Sequence, residues 1–208
     1  PAVRAAMADG SRTILGGEQL SWLRDHLSTS SARWQVLGQQ VLMSRYHIPS
    51  PLLEALDPGL SPELDLAKGT AALLAAVAAK AKAPEDRTPE EQALLDSAIP
   101  YNLDAWDGYE FERDAVLAYA QQLDSKLVVL AGDTHNAWTA QMTTPDGNIA
   151  GVEFGCTSVS SPGFDGPGLL GPGNAGAFGP LVTDLIDDLR YAGLVGRGYL
   201  HLVFTADN

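Results

Sequence analysis

The run Leu127-Val128-Val129-Leu130-Ala131 constrains the fold of this chain more than any other segment. An unbroken apolar stretch bounded by Gly132 reads as a buried central strand. Just past the carboxyl end of such a strand is where open α/β sheets gather their ligands. The tetrapeptide Gly132-Asp133-Thr134-His135 occupies that place. In extended backbone, residues two apart share a side, so Asp133 and His135 are expected to converge on one point. A carboxylate oxygen and an imidazole nitrogen aimed together suit a divalent or trivalent metal. The competing reading is a plain strand-end turn, with the aspartate capping the next segment and the histidine hydrogen-bonded to it. Asn136, directly after, fits an oxygen ligand, a phosphoryl-binding amide or the satisfaction of a turn.

At 208 residues the chain is long enough for one good core with a peripheral subdomain. A formal net charge of -13, with Lys and Arg scattered, leaves no basic stripe for nucleic acid or an anionic membrane. The single cysteine, Cys156, excludes an internal disulfide, and its small and apolar neighbours predict a buried, inert thiol. The longest apolar run, Thr70 to Ala79, is too short to span a bilayer, so no transmembrane segment is expected. The chain opens on Pro1 without a methionine or a signal peptide and reads as processed or excised.

Glu18 to Leu27 carries Leu20, Leu23 and Leu27 at helical spacing. Trp34 to Met43 reads as a strand. From about 49 to 100, prolines divide the chain into short pieces that predict a helical insert. Its helices are expected from Pro62 to about Ala81 and from Thr88 to Ala98, the second with Thr88 as N-cap and Pro89 at the first helical position. Regular α/β texture resumes with a helix from Tyr109 to Leu123 and the strand already described. Strands from Trp138 to Met142 and from Ile149 to Phe154 flank an Asp146-Gly147 turn, a hairpin signal. Ser160 to Pro180 reads as a long Gly- and Pro-rich loop. A short helix from Leu181 to Arg190 and a final strand from Gly198 to Thr205 close the chain.

Trp106-Asp107-Gly108-Tyr109 forms a second cluster. Asp107 with Glu110 three residues later spells a helix capping box, with Trp106 as a core staple. The alternative places the indole and phenol on a pocket wall while Asp107 orients a ligand or water. Gln39 and Gln40 end an apolar strand, so one amide is expected to face the core or a pocket. His47 fits an acid, a ligand or a surface loop, and His26 and His201 read as helix-face and solvent-facing residues. A Gly-x-Ser-x-Gly elbow and a phosphate-binding glycine loop are both absent.

Taken in order, these segments resemble the PhoD-like alkaline phosphatases, a branch of the metallophosphoesterases. The matching stretches are Arg12-Thr13-Ile14-Leu15-Gly16 with Gln19 and Trp22-Leu23, then Trp34 through Gln40, then Trp106-Asp107-Gly108-Tyr109 with Arg113. Gly132-Asp133-Thr134-His135 and Val152-Glu153-Phe154 running into Thr157 through Gly163 complete the series. The resemblance implies an α/β fold, the C-terminal half of a four-layer αββα sandwich spanning 1–208 with the helical insert inside it. It implies hydrolysis of small phosphomonoesters or phosphodiesters by a metal-activated hydroxide, with iron and calcium as the associated metals. Asp133 and His135 carry over as metal ligands, Asn136 and Asp107 as catalytic candidates, and Trp106, Tyr109, Gln40 and Arg113 as substrate-pocket candidates. The family's earlier metal-binding blocks have no counterpart, so an alternative is a non-catalytic scaffold or binding half that self-associates as a homo-oligomer. Members are generally exported, which implies a periplasmic or secreted protein.

Overall fold

A computed structural model describes residues 5, 7, 9–56, 65–123, 126–167 and 169–206. Its strands are β1 (Trp34–Gly38), β2 (His47–Ile48), β3 (Ile99–Pro100), β4 (Lys126–Ala131), β5 (Ala137–Thr143), β6 (Ile149–Gly155) and β7 (Leu189–Gly193). Its helices are α1 (Gly16–Thr29), α2 (Ser50–Leu56), α3 (Leu66–Lys80), α4 (Pro89–Asp96), α5 (Glu110–Gln121) and α6 (Gly171–Leu185). The main sheet has the spatial order β1-β4-β6-β5-β7. β1, β4 and β6 run parallel, while β5 runs antiparallel to both β6 and β7.

β4 holds the second position, as its apolar run predicts, with Leu127, Val128 and Val129 all buried. The register places Val129 beside Glu153, and Glu153 beside Ala140, on one face of the sheet. Both hydrophobic clusters draw on that face. Leu127, Val129 and Met142 pack with Leu23 of α1 and Val116 and Leu117 of α5. Trp138 and Ala140 pack with Leu73 of α3 and Phe178 and Val182 of α6. The opposite face carries Val36, Val128, Val152 and Tyr191, of which Val36 is 47% and Tyr191 56% exposed. The molecule is thus a mixed α/β sheet with its two clusters on one side.

Residues 49–98 leave and return through β2 and β3, which pair antiparallel with His47 opposite Pro100. Within that excursion, Thr88 accepts from Glu91 N and the Glu91 carboxylate accepts from Thr88 N, closing the capping box that starts α4. The expected helix from Pro62 begins at Leu66, and residues 57–64 lie outside the described residues. Leu73 and Ala76 of α3 belong to the cluster that backs the sheet, so the excursion shares the main core.

Five expectations are corrected. The strand from Trp34 stops at Gly38, because Gln39 folds back on Val41 and the Glu153 carboxylate takes the N–H groups of Met43 and Ser44. A chain whose donors are claimed by a side chain leaves the sheet ladder. The Gly- and Pro-rich stretch is a loop only to residue 170, since 171–185 is helical. There Gly179 lies where a Cβ would meet Ala192 O at 2.5 Å, so glycine brings α6 close to β7. The expected helix to Arg190 gives way to β7, and residues 198–205 form no strand. Instead Thr205 O accepts from the Trp34 indole and Phe204 packs edge-on against it. Finally, Cys156 is half-buried, with its thiol on Thr157 O.

Candidate metal centre

Beyond the end of β4 the chain turns sharply. The N–H groups of Gly132 and Asp133 both donate to Gln40 O, at 3.2 and 3.0 Å, tying this corner to the exit of β1. His135 N donates to Gly132 O at 3.1 Å, so the tetrapeptide is a tight turn and not extended backbone. The two-residue alternation that was to align Asp133 with His135 therefore does not apply. His135 instead has φ of 57°, the left-handed region that a residue with a Cβ enters at a cost. Its carbonyl is met by Thr157, whose hydroxyl is shared between His135 O at 3.2 Å and Gly196 O at 2.9 Å.

The His135 ring meets Pro162 O through Nδ1 at 3.0 Å. A carbonyl only accepts, so Nδ1 carries the proton and Nε2 of the neutral ring keeps its lone pair. Orientation of a ligating imidazole by a backbone carbonyl is a common device of metal sites. Asp133 beside it is exposed. Thr134 accepts from the Trp138 indole at 2.9 Å. Asn136 is buried with both ends of its amide bonded, donating to Leu194 O and accepting from Phe164 N, each at 3.1 Å.

The Trp106–Gly108 segment is a single 3-10 turn. Gly108 is required there, because a Cβ would sit 2.1 Å from Leu103 O. The expected capping box does not form: α5 starts at Glu110 with Tyr109 before it and no side-chain cap. Asp107, 2% exposed, accepts from Tyr46 N at 2.8 Å through one oxygen and pairs with His47 Nε2 at 3.1 Å through the other. Glu110 approaches the same nitrogen at 4.0 Å. Ligand atoms of His47, Asp107 and Glu110 all lie within 4.8 Å of one another, a donor set of metal-binding type. His47 and Glu110 line a cavity of about 300 Å³ that reaches this cluster.

The pocket candidates separate. Trp106 is buried, with its indole donating to Gln39 Oε1 at 2.9 Å. Gln40 is exposed and holds the Asp133 corner through its backbone oxygen. Tyr109 lies under the Arg12 guanidinium, 4.5 Å from the ring centre. Arg113 is fully buried, donating to Met43 O at 2.6 Å, to Asp114 at 2.7 Å and to Thr143 O at 3.3 Å. It braces the core, and burial lowers its pKa first, with the Arg45 charge adding to the effect.

Sequence reasoning assigned no site role to Glu153, Glu110 or Tyr101. Glu153 accepts from Met43 N at 2.5 Å, Ser44 N at 3.0 Å and the Tyr46 hydroxyl at 3.1 Å. An acid between Gly151 and Gly155 on the inward side of a strand was the available signal. Tyr101 carried no local signal. Its buried hydroxyl has no hydrogen-bond partner, and its pKa is raised by burial and then by the charges of Glu153, Asp133 and Asp107.

The family model of the PhoD-like phosphatases matches residues 1–208. Alkaline phosphatase D of Bacillus subtilis (strain 168) is 28% identical over 159 residues, which cover 74% of this chain and 19% of that protein. The chain thus spans about a fifth of the length of that curated relative. The solved "Structure of PhoD" matches with a TM-score of 0.55 at 22% identity, over 92% of this chain and 27% of the other, a likeness of fold.

Proposed function

The chain belongs to the PhoD-like phosphatase family, and from that premise we propose that it forms part of a metal-dependent phosphoester hydrolase, with Asp133 and His135 as metal ligands. The observation that carries this reading is the His135 ring, anchored through Nδ1 on Pro162 O in a left-handed backbone position beside an exposed carboxylate. The residues fit the group. Asp133 offers an anionic oxygen suited to calcium or iron, and His135 a nitrogen better suited to iron. Iron and calcium are accordingly the metals of this proposal. When bound, such cations lower the pKa of a water and stabilise the attacking and leaving oxygens of an in-line displacement.

The chain's own residues do the positioning. Gln40 O fixes the Asp133 backbone, Thr157 meets the carbonyl of His135, and Asn136 ties the 162–164 loop to Leu194. Asn136 has both ends of its amide occupied, so in this reading it shapes the corner and makes no substrate contact. Asp107, with His47 and Glu110, contributes a second acidic donor set. The sheet face left partly bare at Val36 and Tyr191 accords with a second sheet packing there, as a four-layer sandwich requires. Export to the periplasm or medium belongs to the same proposal.

His135→Ala is expected to lower bound metal and turnover of a chromogenic phosphomonoester together. Unchanged metal stoichiometry by elemental analysis would remove His135 from the site. A second reading, a non-catalytic half that self-associates, is favoured by that same face. Hydrolysis by the isolated chain, abolished by a chelator and by Asp133→Ala, would defeat it.

A further inference from the structure

A cavity of about 570 Å³ lies directly behind the Thr134–Asn136 corner. Each residue of that corner is tied to the cavity wall or its rim. Thr134 accepts from the indole of Trp138, His135 bonds Pro162 O, and Asn136 accepts from Phe164 N. Trp138 and Phe164 are both wall residues. Four rings close on one another around this side: Tyr46 packs on Tyr101 and Trp138, and Phe164 packs on Tyr101 and Trp138, with centroids 5.3 to 6.3 Å apart. The remaining wall is aliphatic or aromatic, including Leu52, Phe178 and Val182, and carries no charged side chain.

Polar groups in the wall are few, and most are spent. The Tyr46 hydroxyl donates to Glu153, and the Asn102 side chain accepts from Asp104 N. The Tyr101 hydroxyl is the one buried polar side-chain atom of the wall without a partner. An apolar pocket with so few free polar groups selects a ligand with much apolar surface and one acceptor at its end. A glycerol or sugar group would leave several hydroxyls unpaired there.

The geometry points to this cavity as the subsite for the alcohol portion of the phosphoester, and to that portion being an apolar aryl or alkyl group, with the Tyr101 hydroxyl of the wall donating to an ester oxygen. This inference rests on the proposed phosphoester chemistry at Asp133 and His135. The volume is within the range of small-molecule sites and accommodates a fused aromatic pair.

The test is a calorimetric titration of the metal-loaded chain with 1-naphthyl phosphate and with glycerol 2-phosphate. Naphthyl phosphate is expected to bind at least about tenfold more tightly. Val182→Phe, which fills the cavity, should weaken naphthyl phosphate about fivefold or more and leave glycerol phosphate unchanged. Tyr101→Phe keeps the ring and should weaken naphthyl phosphate about threefold to tenfold. Thermal melts of both variants confirm the fold. Equal affinity for the two esters, or equal losses for both in Val182→Phe, overturns the inference. Selective binding of naphthyl phosphate without hydrolysis supports the cavity assignment and counts against the hydrolase reading. Hydrolysis of both esters without selectivity does the reverse.

Discussion

Glu153 lies on the covered face of β6 with no solvent exposure, and three donors converge on its carboxylate. Desolvation raises its pKa above the ordinary 4.5, outweighing the lowering effect of the Met43 and Ser44 bonds. The native state therefore holds this proton after the unfolded chain has released it. The stability it contributes is full below the ordinary value and is lost as pH rises from there through the folded value. Glu153→Gln removes this titration but turns its donating amide nitrogen toward the N–H of Met43 or of Ser44. We expect the variant to be less stable by about 1–3 kcal/mol near pH 4, with the gap narrowing toward neutrality. Melts of both proteins across that range test this, and a gap that widens with pH would sink it. His135 makes the complementary point. Its residue type was legible as a ligand candidate, but the partners of its carbonyl and of its ring are Thr157 and Pro162, more than twenty positions away.

Glycines decide how the elements approach one another. In α6, Gly179 faces Ala192 O of β7 at a distance that excludes a Cβ, whereas Gly173 of the same helix meets nothing within 4 Å. Gly179→Ala should cost about 1–3 kcal/mol through overpacking against backbone. Gly173→Ala should be neutral or stabilise by up to about 1 kcal/mol, since alanine is the better helix former. Denaturant midpoints of the pair test this, and equal shifts would refute the packing role of Gly179. The Gly and Pro content of this stretch argued for a loop on local grounds. Burial of Ala175, Phe178 and Val182 against the sheet overrides that propensity. The capping box of α4 is the opposite case. Thr88-Pro89-Glu90-Glu91 carries its whole instruction locally, and the helix starts where those residues place it.

Across the whole molecule, acidity and a partly uncovered sheet face oppose each other. A net charge of -13 repels like copies, while Val36 and Tyr191 leave apolar surface open. Screening that repulsion should favour association. Sedimentation is expected to show the mean mass of the isolated chain rising with salt, and a strictly monomeric chain at every ionic strength would count against it. Among the described residues no helix is long and apolar enough to cross a membrane.

What the chain alone determined is whatever depends on neighbours in sequence: the β4 strand from its apolar run, α4 from its capping box, the β5–β6 hairpin from Asp146-Gly147, and the Asp133-His135 corner from its place after a buried strand. Tertiary structure decided what depends on distant partners. Glu153 draws Met43 and Ser44 off the sheet, and Asp107 leaves its own helix for Tyr46 and His47, about sixty positions away. Arg113 goes to the core carbonyls of Met43 and Thr143, and Tyr101 buries its hydroxyl without a partner. The physical reason is desolvation: a buried polar group must find a partner wherever the fold brings one within reach, and no local pattern states which partner that is.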